Sequence, residues 1–168
     1  MINRLPPAPN YYIDIFLHPG DFYFGDKETR IRTLLGSCVT ITLWHPYLLI
    51  GGMCHYLLPM KHKSEQTALD GRFADEAIKL FLQELQKSGT WPAEYEVKMF
   101  GGGDQFPNLV KTGFNNIPDN NIRIGYQLLK QHGFSLKTQH VGGTGHRNLI
   151  FDVWSGKVSM QHIISSQE

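Results

Sequence analysis

The chain lacks the features that mark several large classes of protein. It has only two cysteines in 168 residues and a formal net charge of +1. Two cysteines are too few for a disulfide scaffold, and a nearly neutral chain has no field that attracts nucleic acid or an anionic membrane. No apolar run reaches the roughly 18 residues of a membrane-spanning helix, and the first residues contain no apolar stretch typical of a signal peptide. We therefore expect a cytoplasmic protein with reduced thiols.

The chain also has no internal repeat, low-complexity tract or linker, and its length fits one domain with a substantial core. We expect a flexible N-terminal tail over residues 1–10, a single folded domain over 11–163 and a C-terminal tail over 164–168.

Hydrophobic periodicity predicts two helices among many strands. One helix is predicted over 70–87, ending before Gly89, and a second over 121–132, ending before Gly133. Strand signals occur over 11–24, 31–35, 39–44, 49–58, 94–100, 134–141, 147–153 and 157–161. Two helices among strands, without regular alternation, favour a layered α/β or α+β sandwich.

A cysteine and a histidine in adjacent strands give the strongest chemical signal. If residues 45–48 form a four-residue hairpin loop, Trp44 pairs with Leu49 and Cys38 lies directly opposite His55. Directly opposed side chains leave one face of a sheet with Cβ atoms about 5 Å apart. That spacing permits a thiolate–imidazole pair, which makes a thiol nucleophilic at neutral pH.

Each member of this pair also has a purely structural interpretation. Cys38 could be a small buried apolar residue, the most common role of a free cysteine, and His55 could be a core histidine. Against this, Cys38 follows Gly36 and Ser37 at the start of a strand and lies on its polar face. Backbone N–H groups around Gly36 and Ser37 could stabilise the oxyanion formed when the thiolate attacks an amide. His55 would accept the thiol proton and return it to the leaving amine.

The second ring nitrogen of His55 needs a partner that orients the ring. Thr33 is a candidate because it lies just upstream of Cys38, and an Asp or Asn elsewhere in the chain stays open. In the same register Cys54 pairs with Val39 and should face the core. This argues against a disulfide with Cys38 and against a zinc site that uses both cysteines, so we expect no metal.

Two glycine-rich turns follow predicted strands, at residues 101–103 and 142–145. Neither has the Lys-Ser/Thr pair of a phosphate-binding loop or the spacing of a dinucleotide fingerprint. Close backbone packing is the default explanation. The alternative is the rim of a substrate groove, for which Gly101, Gly102 and Gly143 are the candidates.

Several short segments form a recognisable ordered set over about residues 13–160. They are Leu35-Gly36-Ser37-Cys38-Val39, Gly51 to Pro59 with Cys54-His55, Phe73-Ala74-Asp75, Lys98 to Gly102, Ile117 to Asn121, Val141-Gly142-Gly143 followed by Arg147, and Ser155-Gly156-Lys157-Val158. Together these segments resemble the CheD family, the chemoreceptor glutamine deamidases of bacterial chemotaxis. The combination of Gly-Ser-Cys with His-x-x-Leu-Pro carries most of the resemblance.

The resemblance implies a three-layer α/β sandwich related to the catalytic domain of deamidating bacterial toxins, with no cofactor or metal. It implies hydrolysis of selected glutamine side chains of methyl-accepting chemoreceptors to glutamate, with release of ammonia, and in some members action on receptor methyl esters. The nucleophile of the family maps onto Cys38, its histidine onto His55 and its threonine onto Thr33. Some relatives bind CheC, a phosphatase of the response regulator CheY. Chemoreceptor helices and a CheC-type phosphatase are therefore the expected partners, without nucleic acid or membrane insertion.

Two other functions stay open on the residues alone. One is a regulatory binding module for a CheC-type phosphatase or a receptor array, in which catalysis is weak or unused. The other is a peptidase or a transglutaminase-like acyl transferase, which shares the Cys–His chemistry and differs in the acceptor. Thiol reactivity separates an enzyme from the binding module, because a working nucleophile should be alkylated near pH 7 faster than a free thiol of pKa about 8.5.

Overall fold

The chain folds into two β-sheets and one layer of helices. The structure, a computed structural model, describes residues 5–62, 68–113 and 116–164. The strands in these residues are β1 (Ile13–Leu17), β2 (Phe22–Gly25), β3 (Thr29–Leu35), β4 (Val39–His45), β5 (Ile50–Cys54), β6 (Glu96–Gly101), β7 (Leu136–Val141), β8 (His146–Asp152) and β9 (Lys157–Ile163). The helices are α1 (Ala74–Ser88) and α2 (Ile117–Gln131), with a short 3-10 turn at Pro92–Glu94.

Both sheets contain parallel and antiparallel pairs. The four-stranded sheet has the order β1-β3-β8-β9, in which only β1 and β3 are parallel. The five-stranded sheet has the order β2-β5-β4-β6-β7, in which only β6 and β7 are parallel. The strands β3 and β4, which follow each other in the chain, lie in different sheets. The turn between them therefore crosses from one sheet to the other.

Strand β4 shows how the layers are arranged, because its side chains alternate between two cores. Ile41 and Leu43 belong to a cluster that includes Phe81 of α1 and Leu129 of α2. Trp44 packs against a second cluster, which lies between the sheets. The five-stranded sheet is therefore the middle layer, with the helices on one face and the four-stranded sheet on the other. The three-layer α/β sandwich predicted from the sequence is confirmed.

The two helices are present as predicted but begin at other residues. Helix α1 begins at Ala74, four residues later than predicted, because Phe73 forms a bridge with Leu58 and does not enter the first turn. It ends as predicted at Gly89, whose φ of 65° suits a glycine. Helix α2 begins four residues earlier than predicted, with Pro118 in its first turn, where a proline loses no hydrogen bond.

The β4–β5 hairpin has a different register from the predicted one. Its four-residue loop lies at 46–49 instead of 45–48. The cause is His45, whose Nδ1 accepts the backbone N–H groups of Tyr47 at 3.3 Å and Leu48 at 3.1 Å. These bonds keep His45 in the strand and close the turn one residue later than the periodicity indicates.

The new register changes the partner of His55. The bridge between Val39 and Tyr56 continues the hairpin ladder, so Thr40, and not Cys38, lies opposite His55. The partner has moved by two positions, and a shift of two preserves the face of a strand. Cys38 and His55 therefore still face the same side, one diagonal step apart along the ladder. The prediction of direct opposition was wrong, and the prediction of a shared face is confirmed.

The predicted tails lie partly outside the described residues. Residues 5–10 contain no helix or strand, and of the predicted C-terminal tail only Ile164 is described. The polar segment 60–67, for which the sequence favours a loop, is described only as far as residue 62. None of the helices in the described part of the chain is long and apolar enough to cross a membrane.

The close contact of α2 with the middle sheet depends on Gly125. We predict that Gly125→Ala lowers the free energy of unfolding by about 1–2 kcal/mol, even though alanine has the higher helix propensity. A Cβ at this position would lie 2.6 Å from the hydroxyl of Tyr56 and 2.8 Å from the sulfur of Met99. Urea denaturation measures the change. Gly113→Ala is the control, since a Cβ there meets none of the described residues within 4 Å, and equal stability of the two variants would contradict this packing.

Candidate active site

The three predicted catalytic residues lie at the layer between the two sheets. Thr33 belongs to β3, Cys38 lies in the turn that crosses to β4, and His55 directly follows β5. Thr33 and His55 are 2% and 1% exposed, whereas Cys38 is only partly buried. The arrangement combines a buried polar pair with a cysteine that is only partly buried.

Thr33 and His55 form a direct hydrogen bond between the sheets. The distance from Thr33 Oγ1 to His55 Nδ1 is 2.7 Å, and the same hydroxyl donates to the carbonyl of Leu17 at 2.8 Å. A hydroxyl has one hydrogen, and a carbonyl only accepts. The hydrogen of Thr33 therefore points at Leu17, and Nδ1 of His55 donates to Thr33. This bond leaves the Nε2 lone pair of His55 free to accept a proton.

The buried position of His55 keeps its ring neutral. Burial lowers the pKa of His55 to about 4, with the nearby Asp21 carboxylate opposing the shift and His18 adding to it. At pH 7 the imidazole is therefore a neutral base. If it takes a proton, the resulting imidazolium is a strong acid in this environment and gives the proton up readily.

The Cys38 thiol is also neutral at rest. Burial raises the pKa of Cys38, and a hydrogen bond from the side chain of Ser37 lowers it in part. The predicted spacing permits a thiolate–imidazole pair, but both shifts favour a thiol and a neutral imidazole. The difference arises because residue types alone do not show how far the sheets desolvate the two groups.

The turn that carries Cys38 is held by the glycines after β6. The N–H of Gly102 donates to the carbonyl of Cys38 at 2.8 Å, and the N–H of Gly103 donates to the carbonyl of Gly36 at 3.0 Å. The backbone N–H groups of Ser37 and Cys38 themselves have no hydrogen-bond acceptor among the described residues. They are therefore available to an anionic oxygen at the start of β4.

The glycine turns have two different environments. Gly101 and Gly102 are buried, and a Cβ on Gly101 would lie 2.2 Å from the carbonyl oxygen of Cys38. A Cβ on Gly102 would lie 2.5 Å from the side chain of Ile122 in α2. Close packing therefore explains both glycines, against the Cys38 turn for Gly101 and against α2 for Gly102. Gly143 is exposed, with open space where a Cβ would be, so of the three predicted rim residues it is the one with a free surface.

Arg147 supports both glycine turns from inside the protein, a role that the sequence analysis did not assign. It is 1% exposed, and its guanidinium donates to the carbonyls of Gly101 at 3.3 Å and Gly142 at 2.5 Å. Its Nε donates to Nδ1 of His140 at 3.0 Å. The sequence contains a signal for this, because Arg147 stands two residues before Leu149 in an alternating strand and so shares its buried face.

Cys54 is chemically separate from Cys38. It lies opposite Ile41, and not opposite Val39 as predicted, but it faces the helical core as expected. Burial raises the pKa of Cys54 to about 12, and both cysteines are free thiols. Across the described ranges, no group of three histidine, cysteine or acidic side chains is placed to hold a metal ion.

Comparison with known proteins gives a consistent result. The family model described as CheD chemotactic sensory transduction matches residues 57–162. A probable chemoreceptor glutamine deamidase CheD 3 of Dechloromonas aromatica is 51% identical over 152 residues, which cover 90% of this chain and 88% of that protein. A probable chemoreceptor glutamine deamidase CheD of Pseudomonas savastanoi pv. phaseolicola is 47% identical, with 89% and 84% covered. One from Leptospira interrogans is 36% identical, with 91% and 95% covered.

These alignments include the site described above. The family model begins after His55, but an alignment over nine-tenths of the chain leaves too few residues at either end to omit Thr33, Cys38 or His55. The similarity to the named relatives therefore extends through all three residues.

The depressed pKa of His55 makes stability depend on pH. The folded value of about 4 lies below the ordinary value of 6.5, so the unfolded chain binds more protons between these pH values. The free energy of unfolding therefore falls as the pH falls through this window. We predict that lowering the pH from 7 to 5 reduces the free energy of unfolding of the wild type by about 2 kcal/mol more than that of His55→Gln, which carries no titrating ring. Urea denaturation at both pH values measures this, and parallel losses would contradict a neutral buried His55.

Proposed function

The chain belongs to the CheD family of chemotactic sensory transduction proteins, and from this premise we propose that it deamidates glutamine side chains of methyl-accepting chemoreceptors. The products are glutamate and ammonia. The observation that carries the proposal is the hydrogen bond that Nδ1 of His55 donates to Thr33, because it leaves Nε2 as a base on the face that Cys38 shares. The names of the relatives, probable chemoreceptor glutamine deamidases, support the substrate.

In the first step the Cys38 sulfur attacks Cδ of the substrate glutamine. As the carbon–sulfur bond forms, the thiol proton passes to Nε2 of His55 and the carbonyl electron pair moves onto oxygen. The oxyanion is stabilised by backbone N–H groups of the turn formed by Gly36, Ser37 and Cys38. Because both groups start neutral, deprotonation accompanies attack and no resident thiolate is needed.

In the second step the carbon–nitrogen bond breaks and His55 returns the proton to the leaving amine. The low pKa of His55 helps here, since an imidazolium that is a strong acid efficiently protonates the amide nitrogen, which departs as ammonia. A thioester remains on Cys38. Water then attacks the thioester with His55 as base, which gives glutamate and the free thiol.

The regulatory binding module is a second candidate function. The observation that favours it is the raised pKa of Cys38, because a smaller thiolate fraction at pH 7 makes the sulfur less reactive. In that case the same surface, with Gly143 at its open edge, would bind a chemoreceptor helix or a CheC-type phosphatase without turning it over. Action on receptor methyl esters would use the same residues, with methanol as leaving group.

We predict that the wild-type protein releases ammonia from a chemoreceptor cytoplasmic fragment, with the matching mass increase on the fragment, and that Cys38→Ala abolishes both. His55→Gln should lower kcat by about 10²- to 10⁴-fold because the proton transfers lose their base. Thr33→Val should lower it by about tenfold to a hundredfold, because the ring loses its orientation.

Cys54→Ala is the matched control, since it removes the other cysteine from the opposite face of the middle sheet. It should keep wild-type activity. Ammonia release by Cys38→Ala would exclude the proposed nucleophile. An inactive wild type that still binds the receptor fragment or a CheC-type phosphatase would favour the binding module.

A further inference from the structure

The ladder between β4 and the segment after β5 forks close to the catalytic residues. Val39 and Tyr56 exchange both backbone hydrogen bonds at 3.0 Å, and no backbone bond joins the two segments beyond this pair within the described residues. On one side the chain turns away through Ser37. On the other side Leu58 bonds to Arg72 instead. The arm with Cys38 and the arm that continues from His55 therefore separate at this point.

The side chain of Asn121 lies in this fork. Its Nδ2 donates to the carbonyl of Ser37 at 3.4 Å and to the carbonyl of Leu57 at 3.0 Å. The amide group thus links the two segments where the ladder bonds end. Ser37 is the neighbour of Cys38 on one arm, and Leu57 lies two residues after His55 on the other. The opposite orientation of the amide would place its oxygen against two carbonyl oxygens, so the donor assignment follows from the partners.

The backbone of Asn121 has a contact that is separate from those of its side-chain amide. The residue is fully buried in α2, and its backbone carbonyl accepts the hydroxyl of Tyr56 at 2.6 Å. Its Oδ1 is buried and has no hydrogen-bond partner in the described part of the chain. An apolar side chain would avoid that desolvation, so packing alone does not account for an asparagine here.

We propose that Asn121 is a positioning residue for the reaction, which fixes the separation of Cys38 from His55 by clamping the two arms of the fork. This inference rests on the proposed function for its effect on turnover, but its effect on the Cys38 turn does not depend on the substrate. Without the clamp the carbonyl of Ser37 loses its hydrogen bond and the turn opens. The Cys38 thiol then becomes more exposed to solvent and is no longer aligned with the base, His55.

The clamp predicts opposite changes in catalysis and in thiol reactivity. In Asn121→Ala and in the isosteric Asn121→Asp, kcat for glutamine deamidation should fall by about tenfold to a hundredfold with KM unchanged, because the reacting groups are misplaced. Alkylation of Cys38 by iodoacetamide at pH 8 should become about tenfold faster, since a solvated thiol has a larger thiolate fraction. The same experiment detects unfolded molecules, because the buried Cys54 is alkylated only in them. The alkylation rate of Cys38 is therefore taken only from molecules in which Cys54 is unlabelled.

Two control variants separate the clamp from general support of the helix. Asn120→Ala removes the neighbouring asparagine, whose Nδ2 donates to the carbonyl of Gly113 away from the fork. Tyr56→Phe removes the hydroxyl that bonds to the backbone of Asn121 but keeps the amide in the chain. Both should keep the wild-type kcat and the wild-type alkylation rate of Cys38, even if Tyr56→Phe lowers the melting temperature.

Unchanged alkylation of Cys38 in both folded Asn121 variants would overturn the clamp, whatever the activity. The same loss of kcat in Tyr56→Phe as in Asn121→Ala would also overturn it, in favour of helix docking. A wild type without deamidase activity, together with faster alkylation only in the Asn121 variants, would refute the proposed function and still support the clamp.

Discussion

The hydrogen bond from His55 Nδ1 to the hydroxyl of Thr33 is the constraint on which the site depends. It joins the middle sheet to the outer sheet, and it fixes the tautomer because Thr33 must give its only hydrogen to Leu17. The three-layer architecture makes this possible, since β3 and β5 belong to different sheets that meet face to face. The tautomer of His55 is therefore set by the packing of the fold, and in the proposed mechanism the base needs no charged partner.

Burial has opposite consequences for the two reacting groups. It lowers the pKa of His55 and raises the pKa of Cys38, so both side chains are neutral near pH 7. A neutral thiol is protected from unspecific alkylation and oxidation, because the thiolate is the reactive form. The hydrogen bond from Ser37 and the free backbone N–H groups of the turn favour negative charge once attack begins. The site thus relies on stabilising charge as it develops.

The sequence predicted the layers of the fold, and it singled out Thr33, Cys38 and His55 as candidates, because both depend on local patterns and residue types. Cys38 after a Gly-Ser turn and His55 in the next strand are visible without any structure. The hairpin register was not predictable, because it depends on the side chain of His45 closing its own turn. Asn121 was predicted only as the first residue of a helix. Its contact with the turn before β4 joins residues 84 positions apart, which no periodicity reveals.

The central claim is that Cys38 forms a covalent bond to the substrate carbon. The most direct measurement is rapid acid quenching of the wild-type protein with a chemoreceptor cytoplasmic fragment, followed by digestion and mass spectrometry of the cross-linked peptides. The account predicts a thioester between Cys38 and a receptor glutamine, with the mass of the two peptides less one ammonia. Deamidated fragment accumulating with no adduct on Cys38, or with an adduct on another residue, would contradict it.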